Sequence, residues 1–323
     1  MIVTVTLNPA VDKMYWVERL KVCDVTEEEF LTTATRSGSS AGGKGVNMSV
    51  FLSQMGMDNV AMGFVGGHAG HVIIRDLRDR DVTTNFVWIR EETRTNVTVL
   101  EKGHEYVPLL IGESGPNVSA LELERFRRKF KRMLSRASWV VLAGSVPLGV
   151  DAGIYRELAS LAKEAGAKVV VSARGEALLQ TFQASPYLVK PDTRVRRSLM
   201  GKDLASSEKI IEAGRQIAAL GAEMVVISHE VTGDIAVTKD AVLVIKTPVA
   251  PREFRNLVGA DDVFLAGILY QLVEGAPVET ALRFGLAAGL ASAESDEKVC
   301  GEMDRIQAEM EKVTVERVER EGA

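Results

Sequence analysis

Two adjacent carboxylates, Asp261 and Asp262, follow Gly259 and Ala260 and precede an apolar run with helical spacing: Phe264, Leu265, Ile268, Leu269, Leu272. A helix N-terminus carries unpaired N–H groups and the positive end of the helix dipole, so it attracts anions. Two carboxylates placed there either cap the helix or act in a reaction. A second cluster, SSAGGKGVNMS (39–49), sets Lys44 between Gly43 and Gly45 and puts Asn47 one turn into the next helical pattern. Glycines let a backbone approach a ligand, and a lysine adds a point charge suited to phosphate. The cluster lacks the spacer and the Ser/Thr of the nucleotide P-loop, so its bland reading is a turn with an exposed lysine. In ETRTN (92–96), Arg94 and Asn96 share one face of a strand, and arginine clamps phosphate through two parallel hydrogen bonds. Asp12 closes TLNPAVD (6–12), at the carboxyl end of the first strand, where open α/β sheets bind ligands. It either accepts ligand hydroxyls or caps a turn.

Placing these groups requires strands that end near helix starts. Continuous apolar strands are predicted at 2–7, 59–67, 139–144, 168–173, 187–191 and 223–228. Helical spacing recurs at 46–57, 71–81, 119–137, 153–166, 207–221 and 278–293, and Ser119 with Glu122 forms a capping-box pattern. This alternation predicts an α/β fold, a mainly parallel sheet with helices on both faces. The stretches 13–22 with 28–36, and 85–110, have period-2 patterning instead and predict a small antiparallel sheet. It is expected to act as a lid over a cleft, formed by about 13–38 and 85–112 within a single domain spanning 1–323.

Composition narrows the function classes. The 323 residues are 46% hydrophobic and 26% charged, with net charge −5, which disfavours a nucleic-acid partner. The most basic stretch, RFRRKFKRML (125–134), reads as a solvated helix face. Cys23 and Cys300 form no metal-ligand spacing and fit a reducing cytoplasm. His68 and His71 lack a third ligand nearby, and no uncharged apolar run suits a membrane span.

The ordered series TLNPAVD, AGGKGVN, GFVGG, ETRTN, ESGP, AGSVPLGV, RGEAL, KPD and GADD resembles the PfkB, or ribokinase-like, carbohydrate kinases, from about residue 2 to about residue 293. The nearest likeness is to the 1-phosphofructokinase and tagatose-6-phosphate kinase branch. The resemblance implies ATP-dependent transfer, with Mg²⁺, to a ketohexose monophosphate: fructose 1-phosphate, fructose 6-phosphate or tagatose 6-phosphate, giving a 1,6-bisphosphate. By the same resemblance Asp262 is the base, and the backbone of Gly259, Ala260 and Asp261 forms an anion hole. Asp12, Gly43, Lys44, Asn47 and Arg94 match sugar and sugar-phosphate contacts. Lys190, Ser228 and Gly233 match the nucleotide side, and Asp192 the metal side.

Departures from the family pattern gather near the nucleotide. Asp261 stands where the family prefers glycine, Val195 replaces a glutamate, and Glu230 replaces a glycine. Asp261 either points away from the phosphates or repels them; the intact substrate residues favour a solvent-facing side chain. Two alternatives stay open: a sugar-phosphate-binding member with little kinase activity, and a kinase of another small sugar. The exposed edge of the lid can pair with a second copy, making a homodimer.

Overall fold

The computed structural model describes residues 1–20, 31–193, 198–230, 233–250 and 254–318, apart from the side chains of Lys202 and Glu230. Cys23, the start of the 28–36 stretch, residues 194–197 and the Glu230 side chain therefore lie outside the described residues. The chain opens with β1 (Ile2–Thr6), β2 (Ala10–Val17) and β3 (Ala34–Gly42), then α1 (Lys44–Gln54), β4 (Asn59–Gly66) and α2 (Gly67–Asp79). Next come β5 (Thr83–Thr84), β6 (Val87–Ile89), β7 (Arg94–Glu101), β8 (Leu109–Gly112), α3 (Ala120–Leu134) and β9 (Trp139–Ala143). They are followed by α4 (Ile154–Glu164), β10 (Lys168–Ser172), α5 (Gly175–Thr181), β11 (Leu188–Val189), β12 (Ser198–Leu199) and β13 (Lys202–Asp203). The remainder supplies α6 (Ser207–Ala219), β14 (Met224–Glu230), β15 (Gly233–Thr238), β16 (Val242–Lys246), α7 (Ala260–Val273), α8 (Val278–Ala293), α9 (Met303–Met310) and β17 (Thr314–Val318).

The predicted parallel sheet is present. Eleven strands form it in the order β17-β16-β15-β14-β11-β10-β9-β1-β4-β5, with β6 also on β4. Pairing is parallel from β14 to β5 and antiparallel from β14 to β17. Helices α1, α2, α7, α8 and α9 cover one face, and α3 to α6 cover the other. Strand alternation divides the side chains between these layers: Val3 and Val5 pack toward α3 and α4, while Thr4 turns to α1 and bonds Ser49 Oγ at 2.5 Å. The Ser119 cap forms as read, with Glu122 Oε2 accepting from the Ser119 N–H at 2.8 Å. Helix α3 buries Phe126, Phe130 and Leu134, and pairs Arg127 outward with Glu124 and Glu157. Among the described residues no helix is long and apolar enough to cross a membrane.

The small separate sheet, expected from the sequence to act as a lid and called so below, has four strands in the order β3-β2-β7-β8. Its outer pairs are antiparallel as expected, but the central pair β2 and β7 is parallel. Both of those strands leave the central sheet in the same direction, β2 after β1 and β7 after β6, so they cannot oppose each other. Residues 87–89, read from the sequence as lid, are instead β6: Val87 and Ile89 are buried, and the strand pairs with Phe64–Gly66 of the core. The lid also starts earlier than expected, at Ala10.

Helix α7 is pressed onto α8 at glycines. A Cβ on Gly285 would lie 2.6 Å from Ile268 Cγ1 and 2.8 Å from Phe264 O. Replacing Gly285 with valine is therefore expected to push α7 away and cost about 1–3 kcal/mol through overpacking. A thermal melt reads this as a drop in Tm of roughly 2–4 °C per kcal/mol; an unchanged Tm would mean that the two helices are free to separate.

Candidate active site

The N-termini of α1 and α7 meet at the carboxyl edge of the sheet. Gly43 caps α1 at φ 110° and Gly259 caps α7 at φ 87°, both in the region that favours glycine. Lys44, the first residue of α1, puts Nζ 3.1 Å from Asp262 Oδ1. Asn47, one turn later, donates to Asp262 Oδ2 at 2.7 Å. A cation at a helix N-terminus opposes the dipole, and carboxylates offset that: besides Asp262, Asp192 lies 3.5 Å and Asp261 3.8 Å from Lys44 Nζ. Asp262, Lys44 and Asn47 are all buried.

Asp261 does not face solvent. Its carboxylate sits 2.6 Å from the Nζ of Lys190, a side chain only 1% exposed, and its own exposure is 22%. The sequence-based expectation fails for a simple reason: a buried ammonium takes the nearest anion it can reach, and the second residue of α7 is that anion. Lys190 also donates to Ser228 Oγ at 3.0 Å and lies 3.4 Å from Asp234 Oδ1. Burial works against its charge, but Asp261 and Asp234 outweigh it and push the Lys190 pKa up to about 12. Burial pushes the Asp234 carboxyl up; Lys190 pulls it back and Asp261 adds to the rise.

On the lid side, register places Asp12 beside Asn96 across β2 and β7, and Asn96 donates to Asp12 Oδ1 at 2.9 Å. Gly42 gives the carboxylate its room, since a Cβ there would fall 2.1 Å from Asp12 Oδ2. Arg94 donates from Nε and Nη2 to the Asn8 carbonyl and from Nη1 to the Glu113 carbonyl, at 3.0–3.2 Å. Burial lowers its pKa; the Asp12 carboxylate raises it, and the positive charge of Arg174 lowers it further. The side-chain oxygens of Asn8, Asn47 and Asn96 are buried without a partner among the described residues. Such acceptors around a cleft suit the hydroxyls and water of a bound polar ligand.

Behind α7 opens a cavity of about 320 Å³. Phe254, Leu257, Phe264, Leu286 and Leu290 give it apolar walls, and Ser228, Asp234 and Asp261 edge it with polar groups. Flat apolar walls beside a charged rim fit a nucleotide's base and phosphates. Gly233 starts β15 opposite Glu230 and is not part of the lining. Asp261 lines this cavity, while its neighbour Asp262 turns to Lys44 and Asn47. In the first turn of α7, the Ala260 N–H makes a long 3.4 Å bond to Leu257 O, while that of Asp262 is taken by Gly259 O at 2.9 Å.

Sequence reasoning missed three charged residues here. Asp234 directly follows the SHEVTG motif (228–233), and an Asp within an otherwise apolar stretch was a usable signal for the buried carboxylate found there. Arg174 heads α5 within a motif that was recognised but given no role. Lys298 pairs with Asp12 Oδ2 at 2.9 Å from beyond the last motif.

A mainly parallel sheet with helices on both faces, a small separate sheet and paired carboxylates at a helix N-terminus agree with the class to which sequence comparison assigns the chain, the carbohydrate kinases. The chain belongs to the pfkB family of carbohydrate kinases, whose sequence profile matches residues 6–298. It is 34% identical to a 1-phosphofructokinase of Bacillus subtilis over 92% of this chain and 94% of that one. A solved Thermotoga maritima structure, called a "possible 1-phosphofructokinase", superposes with a TM-score of 0.89 at 34% identity, covering 98% of this chain and 99% of that one. The tetrameric inhibited form of Escherichia coli phosphofructokinase-2 superposes with a TM-score of 0.83 at 25% identity, covering 96% and 98%.

The inward Asp261 has a kinetic consequence. Two unit charges about 4 Å apart repel by roughly 4 kcal/mol at an effective dielectric near 20. Asp261→Gly is expected to raise phosphoryl-transfer turnover about tenfold for each ~1.4 kcal/mol relieved, and to lower Tm because Lys190 loses its 2.6 Å partner. Steady-state kinetics with a thermal melt read both. A fall in turnover would show that the carboxylate assists transfer.

Proposed function

We propose that the protein is an ATP-dependent kinase that phosphorylates a ketohexose monophosphate to a 1,6-bisphosphate, with fructose 1-phosphate as the foremost substrate. The observation that carries this reading is Asp262 at the start of α7, held on both oxygens by Lys44 and Asn47 from the start of α1. Each carboxylate oxygen keeps acceptor capacity beyond one hydrogen bond, so Asp262 can take the proton of an attacking hydroxyl. Asp12 and Asn96 orient the sugar, Arg94 holds the phosphate it already bears, and Lys44 holds Asp262 ionised beside the reacting hydroxyl. Lys190 and Ser228 face the donor's phosphates, and the first turn of α7 stabilises the transferring group. Closing the lid excludes water.

The donor set suits magnesium. Asp192, Asp261 and Asp262 offer only hard carboxylate oxygens around Lys44. Among the described residues no three acidic, His or Cys side chains are placed to hold a metal by themselves. Mg²⁺ commonly binds through one or two carboxylates plus substrate phosphates and water, and Asp192 would supply such a contact. Bound there, the metal would neutralise phosphate charge. The reading places the protein in the cytoplasm, with its substrates.

Purified protein assayed with ATP and Mg²⁺ against fructose 1-phosphate, fructose 6-phosphate, tagatose 6-phosphate and free fructose is expected to favour fructose 1-phosphate. Asp262→Asn should lower turnover by at least about 10²-fold while leaving sugar-phosphate binding in place. Sugar-phosphate binding with no nucleotide binding would favour the non-enzyme alternative, which the Asp261–Lys190 pair supports.

The reading includes a homodimer through the lid. Leu109, Leu110 and Ile111 are 44%, 62% and 56% exposed on edge strand β8. Three exposed apolar residues in a row on a sheet edge suit pairing with a second copy. Ile111→Lys is expected to shift the protein toward monomer in light scattering; an unchanged mass would place the interface elsewhere.

A further inference from the structure

Lys298 stands 286 residues from Asp12 in the chain, yet its ammonium donates to Asp12 Oδ2 at 2.9 Å and to the Ala41 carbonyl of the glycine loop. Only 8% of the residue is exposed. Its own carbonyl accepts from Ser292 Oγ at 3.1 Å, which ties it to the end of α8. It also lies against the cap of α7: a Cβ on Gly259 would fall 2.8 Å from Lys298 O and 3.1 Å from Lys298 Cγ. One residue therefore reaches from the turn before Asp262 to a carboxylate on lid strand β2.

Stability is a poor account of this contact. A buried ion pair gains little over apolar residues of the same size, because both charges lose their water. The arrangement of Asp12 accounts for it better. Asn96 holds Oδ1 and Lys298 holds Oδ2, each at 2.9 Å, so the plane of the carboxylate is fixed. An ionised carboxylate offers about four acceptor positions, and the two left over are what a diol would use.

We infer that Lys298 is a positioning residue for phosphoryl transfer: it orients Asp12 toward the sugar hydroxyls and fixes the distance between Asp12 and the turn that carries Asp262. It touches no reacting atom. The identity of the ligand rests on the kinase reading above.

The test compares Lys298→Met, Lys298→Arg and Lys298→Gln by calorimetry with fructose 1-phosphate alone, by steady-state kinetics and by thermal melts. Lys298→Met is expected to raise Kd and KM for the sugar phosphate about 10–100-fold, to lower kcat less, and to change KM for ATP by under about twofold. Lys298→Arg should recover most of the loss, and Lys298→Gln, which can stand in where methionine does not fold, should not. In an Asp12→Asn background, removing Lys298 should cost less than about threefold more, since the two act as one unit. Unchanged sugar affinity with a lowered Tm would overturn the inference and leave Lys298 a packing residue. So would additive losses in the double variant, or arginine doing no better than methionine. Calorimetry needs no turnover, so wild-type binding without phosphorylation would overturn the kinase reading while the variants still decide the role of Lys298. Wild-type protein that binds no phosphorylated ketohexose would overturn both.

Discussion

Taking a carboxylate and an ammonium out of water costs several kcal/mol per ion, and only close contact with further hydrogen bonds returns it. The Lys44–Asp262 pair meets that condition because two helix N-termini are brought face to face. If α7 moved by an ångström or two, both charges would be left buried with weakened partners. Much of the surrounding packing follows from that demand. The glycines of α8 let α7 lie close, and Gly43 and Gly259 turn the chain into each helix without a side chain in the way. Asn47 holds the second oxygen of the Asp262 carboxylate.

The same condition explains the inward turn of Asp261. Lys190 is nearly inaccessible, and an ammonium so placed has to be matched by anions. Asp234 at 3.4 Å is a long contact; Asp261 at 2.6 Å is the close one. In a site built for a nucleotide, phosphate oxygens would meet the same ammonium. The Asp261 carboxylate thus neutralises the Lys190 ammonium in the ligand-free protein.

Residues whose role depends on local spacing were legible in the sequence. Lys44 and Asn47 at the start of α1, and Asp262 at the start of α7, lie beside glycines whose function is local, and the structure brings all three together. The Ser119 cap and the parallel strands were legible for the same reason: each follows from a period or a short motif. What escaped depends on distant partners. Lys298 sits in a DEK charge run that reads as solvated surface, and only the buried Val299 and Cys300 after it hint otherwise. The direction of Asp261 is set by Lys190, 71 positions away in a different element, and no periodicity encodes it. Strands β15 to β17 and helices α5 and α9 were not anticipated; β17 is largely exposed and carries little apolar pattern. The placement of residues 87–89 in the core follows from pairing with β4, which alternation alone does not specify.

The lid is joined to the core in a way that limits how it can move. Only three residues, Leu7, Asn8 and Pro9, separate β1 from β2, and Arg94 at the base of β7 clamps the Asn8 carbonyl. Lys298 and Asn96 hold Asp12 from opposite sides just above that joint. The root of the lid is therefore tied to the central sheet, to the glycine loop and to the cap of α7, while its outer edge, β8, has no partner beyond β7 among the described residues. A hinge motion about such a root moves the far edge much more than the carboxylate near the axis. Asp12 is thereby fixed close to the root, whatever the position of the outer strands.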